Sequence, residues 1–195
     1  ALAAGAAPCG DYGAFHAEPI DPRSGATEPV VLVFNYGILV NKHGHRFIDE
    51  APKTVDATYE AITRVIWEQP DGIAYAILDS RIEDVPNWRK SVRSDQPPIT
   101  ADSIEDLAAK LGIDPGALAV TVAGYNRARR TPATFKPLEL DGLATEKLEP
   151  RKSNWARPLD RAPYLAYPIT CANCFTFGGV KISTDAEVLD QIGRA

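Results

Sequence analysis

The side chains in this sequence that are best suited to chemistry are a few histidines at glycine- and proline-marked positions. His16 lies in "AFHAEPIDP", and an imidazole that titrates near neutral pH can donate a hydrogen bond to a carboxylate. The local sequence favours the alternative, a solvated loop histidine. His43 and His45 flank Gly44. No further ligands stand at a matching spacing, so we interpret these two as solvated turn residues rather than a metal pair.

The cysteines offer a second candidate, the C-x-x-C of Cys171 to Cys174. A zinc site normally needs two such pairs, and the sequence has one. We therefore predict no metal and favour a structural or substrate-side role. With Cys9 the chain has three cysteines. An odd, sparse count argues against a disulfide framework and favours a reducing cytoplasm.

Glycines and clustered cations complete the candidate set. Gly178 and Gly179 in "FTFGGVKIS" allow a ligand or flat ring to approach the backbone, although paired glycines also make plain turns. Neither G-x-G-x-x-G nor G-x-x-x-x-G-K-[ST] occurs, so no phosphate-cradling loop is expected. Lys152, Arg157 and Arg161 lie near tyrosines and suit either a polycarboxylate or a solvated loop.

Composition excludes several classes of partner. The formal net charge is -5 and no Lys/Arg-rich run is present, so nucleic acid and anionic membrane are not expected partners. No apolar run reaches the length of a transmembrane helix, so membrane contact would need another protein. The chain has no methionine, which predicts a segment of a longer protein.

Periodicity predicts the elements that would position these residues. The pattern indicates an α+β fold, with strands first, helices in the middle and a strand at the end. We predict the end of a helix at 1–7, a loop at 9–28, a strand at 29–41 that turns back through "HRFIDE", a helix at 54–69, a strand at 72–79, a helical pair at 100–113 and 114–130, a surface-wrapping segment at 131–168 and a strand at 177–183.

Four segments, in order, resemble the fumarate reductase/succinate dehydrogenase flavoprotein superfamily. "GILVNKHGHRFIDE" is similar to its G-x-L-V-N-x-x-G-x-R-F-x-D/N-E segment, and "FH" to its F-H-P-T loop. "LGIDPGALAVTVAGYNRA" is similar to the helices of its capping domain, and "TFGGVKISTDAEVLD" to the strand that returns to its flavin domain. Within the superfamily, "HAEPIDPRSG" and "KSNWA" look most like tricarballylate dehydrogenase and CobZ-type flavoproteins.

The resemblance implies a role for each region. Residues 1–50 would connect from the flavin domain, 51–168 would form a substrate-capping domain, and 169–195 would return to the flavin domain. FAD would be the cofactor, held mostly outside this segment. The implied activity is oxidation of a polycarboxylate such as tricarballylate or a succinate-like acid, with a possible electron-acceptor protein as partner. A non-catalytic ligand- or partner-binding module, such as a tetrapyrrole-pathway accessory protein, is the alternative.

The resemblance also implies the roles of individual residues. His16 stands where the family binds a substrate carboxylate, and Cys174 stands near a position where the family has a second histidine. Thr176 belongs to the same substrate side. Gly178 and Gly179 would approach the flavin.

The proton relay of fumarate reductases is missing from this sequence. Valines of "EPVVLVFNYG" stand at the approximate positions of its glutamate and one arginine, and Thr54 stands near the place of its catalytic arginine. A dehydrogenase needs a base instead, and Tyr36 and Lys53 are the candidates. The sequence therefore argues against fumarate reduction.

Overall fold

The computed structural model describes all 195 residues and divides them into two compact units. The smaller unit comprises residues 1–18 and 172–195, and the larger comprises 19–171. Helices and strands are both present, as the α+β prediction requires. The strands are β1 Pro8–Ile20, β2 Ile38–Asn41, β3 Ile73–Asp79, β4 Ile99–Ala101, β5 Arg129–Arg130, β6 Thr145–Glu146 and β7 Tyr164–Val180, and the α-helices are α1 Tyr59–Trp67, α2 Ile104–Leu111 and α3 Pro115–Arg127.

An antiparallel sheet organises the larger unit. β3 pairs antiparallel with β2 on one side and with the first part of β7 on the other, and β4 also pairs antiparallel with β7. Short β5 and β6 form a separate two-stranded sheet. Antiparallel pairing agrees with an α+β fold and not with a wound parallel sheet.

Side chains that alternate between the two faces of the strands build a hydrophobic core on each face of this sheet. Ile38 and Val40 of β2 lie in a cluster with α2 and α3, whereas Leu39 between them lies in a cluster with α1. Successive strand residues point to opposite faces, so β2 contributes to both cores. All three side chains are fully buried.

The helical pair matches its prediction. Ser103 and Asp114 cap α2 and α3 by accepting the backbone N–H groups of Asp106 and Ala117 at 3.0 and 2.7 Å. The apolar stripe of the two helices is buried in the second core: Leu107, Leu111, Leu118 and Val122. The helical spacing of the apolar residues and the N-cap residues are therefore sufficient to predict α2 and α3 from the sequence.

The helix predicted at 54–69 is shorter than expected. A 3-10 turn at Val55–Ala57 precedes α1, which starts at Tyr59. Thr54, the residue before this 3-10 turn, makes no side-chain cap bond. The helix still buries Ile62 and Ile66 against the first core.

Two predictions about the first 50 residues are wrong. The loop expected at 9–28 contains the 13-residue strand β1, because a neighbouring strand distant in sequence supplies hydrogen bonds that Gly and Pro content does not reveal. The strand expected at 29–41 is interrupted by a 3-10 turn at Phe34–Tyr36, which buries Phe34.

The hairpin expected at 37–50 is reduced to its turn. The backbone N–H of Gly44 donates to the carbonyl of Asn41 at 2.9 Å. The returning segment makes only an isolated bridge between Val40 and Arg46. β2 instead takes β3 as its partner.

The prediction that 131–168 wraps the surface is wrong for several residues. Lys152, Trp155 and Leu159 are buried, and β7 already begins at Tyr164. The segment lacks periodicity because its buried side chains are held singly rather than along a repeating face. No helix of the chain has the length and apolarity required to cross a membrane.

Candidate functional site

His16 lies beside the last part of β7 in the smaller unit. Its imidazole stacks on the ring of Phe175, with centroids 4.8 Å apart and an interplanar angle of 8°. Phe175 in turn contacts Phe177 edge-on, with centroids 5.7 Å apart. Phe175 and Phe177 are 54% and 47% exposed. His16 therefore lies against the 174–179 segment, which is part of the strand β7.

Strand alternation divides the predicted site residues between two faces of β7. Phe175 and Phe177 are two residues apart and share the face that His16 contacts. Cys174 flanks Phe175 and Thr176 lies between the two phenylalanines in the strand, so alternation assigns their side chains to the opposite face. The structure therefore does not place these two side chains on the face of His16.

The two candidate glycines have different surroundings. A Cβ on Gly178 would lie 2.8 Å from the Tyr12 ring, so that face of the strand is occupied. A Cβ on Gly179 would meet nothing within 4 Å. Tyr12 also donates its hydroxyl hydrogen to the carbonyl of Gly179. Only Gly179 therefore leaves open space for a flat ring.

The cysteines and turn histidines show no metal-binding arrangement. No group of three or more His, Cys, Asp or Glu side chains is suitably placed to hold a metal ion. Burial raises the pKa of the Cys171 thiol, which disfavours the thiolate that metals require. His43 and His45 are exposed, and their backbone N–H groups donate to the Asn41 side chain at 3.0 and 3.2 Å. The prediction of solvated turn histidines is confirmed.

Of the two candidate bases, Tyr36 has a structural role. Its hydroxyl donates to the carbonyl of Pro137 at 2.6 Å, and its ring lies 5.4 Å from that of Trp155. Burial raises the pKa of Tyr36, which disfavours the phenolate that would act as a base. Lys53 is exposed in the larger unit, as is Thr54.

The valines at the missing relay positions belong to an apolar environment. Val31 and Val33 lie in the first core with no exposed surface, and Val30 is 6% exposed. A charged side chain there would lose its hydration without a partner.

Sequence reasoning missed a buried ionic cluster in the larger unit. Glu50 is fully buried and accepts from the backbone N–H of Leu39 at 3.0 Å and from Arg46 at 2.9 and 2.8 Å. These bonds tie the turn segment to β2. The four-residue spacing of Arg46 and Glu50 was visible in the sequence, but their burial was not. The carboxylate that ends the segment 37–50 is therefore a structural group.

Lys152 joins this cluster from the segment between α3 and β7. Its ammonium donates to the backbone carbonyl of Asn35 at 2.6 Å and lies 3.8 Å from a Glu50 carboxylate oxygen. Desolvation lowers the pKa of this fully buried lysine to about 8. Arg157, grouped with it in the sequence, instead pairs with Asp84 at 2.6 Å and packs on Phe135 at 3.7 Å. Neither cation is available as the polycarboxylate ligand that the sequence suggested.

The chain contributes only part of what an FAD site requires. No G-x-G-x-x-G turn leads into an α-helix, and the N-termini of α2 and α3 are occupied by their own Ser103 and Asp114 caps. Neither helix N-terminus is therefore open to a pyrophosphate. Gly179 and the ring of His16 are the features compatible with a flat isoalloxazine or substrate.

Comparison with known proteins identifies the family. A family model described as an FAD binding domain matches residues 19–195. The chain is 29% identical over 181 residues to NADH:acrylate oxidoreductase of Vibrio harveyi, covering 89% of this chain and 16% of that protein. It is 33% identical over 157 residues to a fumarate reductase (cytochrome) of Shewanella frigidimarina, covering 80% of this chain and 24% of that protein. The chain thus spans a quarter or less of these relatives.

The fold is shared with a solved structure. The open conformation of a flavocytochrome c3 fumarate reductase aligns with 99% of this chain and 31% of its own, with a TM-score of 0.70 and 24% sequence identity.

Proposed function

Because this chain belongs to the FAD binding domain family, we propose that it is part of an FAD-dependent oxidoreductase acting on a small carboxylic acid. FAD is the cofactor, and it supplies the hydride chemistry when bound. Residues 51–168 are proposed as the substrate cap. The residues of this chain bind and orient the acid and exclude water from it.

The observation that carries this proposal is the placement of His16 against Phe175 of β7, at the position that the resemblance assigns to a carboxylate-binding histidine. An imidazole there can donate a hydrogen bond to a carboxylate and fix the orientation of the acid. The relatives are named for reactions of fumarate and acrylate, which are both carboxylic acids. For oxidation of the acid, an electron-acceptor protein is the proposed partner, because it removes the electrons that the flavin takes from the acid.

The preferred direction is dehydrogenation, with tricarballylate or a succinate-like acid as the polycarboxylate candidate. Its support is the apolar burial of Val30, Val31 and Val33, where the resemblance places members of a charged relay. Lys53 is retained as the proposed base. The second candidate is reduction of an unsaturated acid, favoured by the names of the relatives.

The test uses the full-length flavoprotein under anaerobic conditions. In the oxidising direction, tricarballylate and succinate are added to the oxidised enzyme and bleaching of the flavin spectrum is followed. In the reducing direction, fumarate and acrylate are added to the reduced enzyme and recovery of the spectrum is followed. Failure of every acid in both directions contradicts the proposal and favours a non-catalytic module.

A matched pair of histidine variants tests the role of His16. His16→Ala is expected to raise KM for the acid about 10- to 100-fold, since a hydrogen bond to a charged group contributes about 1.5–3 kcal/mol. His45→Ala, which removes an exposed turn histidine, is expected to leave KM unchanged. Equal KM values in wild type and His16→Ala would remove His16 from the proposed site.

A further inference from the structure

We infer that Arg23 and the hydroxyl of Tyr167 form a carboxylate-binding site in the larger unit, and that this site holds a carboxylate of the acid. The inference rests on the proposed function and deepens it by naming residues that bind the acid. A polycarboxylate needs a cation, and Lys152 and Arg157, the cations that the sequence suggested, are already bound by groups of the protein.

Arg23 is fixed along one edge of its guanidinium and open along the other. Its Nε and Nη2 donate to the carboxylate of Asp21 at 2.9 and 2.6 Å, whereas its Nη1 donates to no protein group. The Arg23 side chain is 29% exposed, and the Asp21 side chain has no exposed surface. A guanidinium whose orientation is already set loses little freedom when its remaining N–H groups bind a second carboxylate.

Asp21, which holds Arg23, is itself held by several donors. The backbone N–H of Arg23 donates to its carboxylate at 3.0 Å, and the hydroxyl of Ser94 donates to it at 2.8 Å. Burial alone would raise the pKa of Asp21, but the hydrogen bonds from Arg23 and Ser94 lower it below its ordinary value. Asp21 is therefore ionised at neutral pH and keeps the guanidinium in place.

Ser94 connects this ion pair to a cleft of about 310 Å³, whose apolar walls include Trp88, Val92 and Leu165. Tyr167 also lines the cleft and is 3% exposed. Its hydroxyl makes no hydrogen bond with a protein group. A hydroxyl at such a buried position is costly unless a ligand or a water molecule accepts its hydrogen. The cleft therefore contains a donor that the protein leaves for another molecule.

The charges around the Tyr167 hydroxyl favour an anion as that molecule. Burial raises the pKa of Tyr167, and Arg23 is the charged group that lowers it most, with Asp21 and Arg89 as the others that act on it. The hydroxyl is therefore a donor at neutral pH, within electrostatic reach of the guanidinium. Glu83 at the cleft is paired with Arg89 at 2.6 Å, so no unpaired carboxylate repels an anion. A carboxylate accepts hydrogen bonds through both oxygens, and so suits these two donors.

The experiment measures binding of malonate to the oxidised full-length flavoprotein by calorimetric titration. Malonate carries two carboxylates on a single methylene carbon, so it has no C–C bond that the flavin can dehydrogenate. Arg23→Gln is expected to weaken malonate binding about 10- to 100-fold, and Tyr167→Phe about tenfold. Tyr167→Phe is the decisive variant, because it removes a hydroxyl without a protein partner and should leave denaturant unfolding unchanged.

Two control variants match these changes. Arg93→Gln removes an arginine that is 61% exposed and pairs with Glu28, and Tyr164→Phe removes a hydroxyl from the same strand on the side of the second core. Both should bind malonate as the wild type does. The inference is overturned if malonate does not bind to the wild type, if Tyr167→Phe binds it equally well, or if the controls weaken binding as much.

Turnover separates the inference from the proposed function. With an acid that the enzyme oxidises or reduces, Arg23→Gln and Tyr167→Phe should raise KM by the factors given for malonate, and an unchanged KM shows that the site does not hold the acid. If no acid exchanges electrons with the flavin, the proposed function fails. The carboxylate site then stands if malonate binding depends on the Tyr167 hydroxyl, and fails if it does not.

Discussion

Replacing Lys152 by methionine should remove a pH dependence of stability that is specific to alkaline solution. The ammonium is fully buried, with one carbonyl acceptor on Asn35 and Glu50 at 3.8 Å. Glu50 is already bonded by Arg46, so it compensates only part of the desolvation. The pKa of Lys152 is therefore lowered to about 8, with Asp49 and Asp141 as the other acidic groups acting on it.

Proton linkage gives the sign and the size of this pH dependence of stability. A lysine whose pKa is lower in the folded state binds fewer protons there than in the unfolded chain between about pH 8 and 10.5, so stability rises with pH across this window. Below pH 8 Lys152 is protonated in both the folded and the unfolded state. The full cost of burying its charge, on the order of 3 kcal/mol, then lowers the free energy of unfolding. Between pH 7 and 9.5 the wild type should gain about 2 kcal/mol relative to Lys152→Met.

The assay is denaturant unfolding of wild type and Lys152→Met at matched pH values from 7 to 9.5. The difference between their free energies of unfolding cancels the other titrating groups, including the buried tyrosines. Lys53→Met removes an exposed lysine, so its free energy of unfolding should change with pH as that of the wild type does. If the free energy of unfolding of Lys152→Met changes with pH as that of the wild type does, Lys152 is hydrated or fully ion-paired in solution, and the reasoning is refuted.

Four further predictions follow from the packing and from the sequence. Leu118→Ala should cost about 2–5 kcal/mol in denaturant melts as a core truncation, whereas Val120→Ala, at a position 71% exposed, should cost less than about 0.5 kcal/mol. Gly44→Ala should cost at least about 1–2 kcal/mol, because Gly44 has a φ of +77° and its Cβ would lie 3.0 Å from the Leu118 nitrogen. The 195-residue chain should elute from gel filtration without stoichiometric flavin, since it lacks a dinucleotide fingerprint; a yellow fragment would contradict this. Elemental analysis should find no stoichiometric zinc or iron, and metal that disappears on Cys174→Ser would contradict the reading of the C-x-x-C.

The parts of the fold that the sequence predicted are those encoded locally. Leu107, Leu111 and Leu118 recur at helical spacing behind Ser103 and Asp114 caps, and both period and cap act within a few residues. Four segments in order, among them Gly37 to Glu50, indicated the flavoprotein family by resemblance. The apolar run predicted as a strand at 72–79 likewise coincides with β3.

Long-range contacts decided the rest. The sequence could not predict β1, because its neighbour β7 lies far along the chain; the Tyr12 to Gly179 bond spans 167 residues. Cys174 and Thr176 stood beside His16 as candidate site residues in the sequence, whereas only the folded chain shows that the His16 ring stacks on Phe175, the residue between them.

Lys152 is a further case in which the sequence did not show a long-range contact. Lys152 resembled a surface ligand because the sequence gives the charge of a side chain and not its solvation. Its acceptor, the carbonyl of Asn35, lies 117 residues away. Periodicity and capping are properties of neighbouring residues, so the sequence determined them; burial of a charge and the pairing of distant strands are properties of the folded chain, so only the tertiary structure decided them.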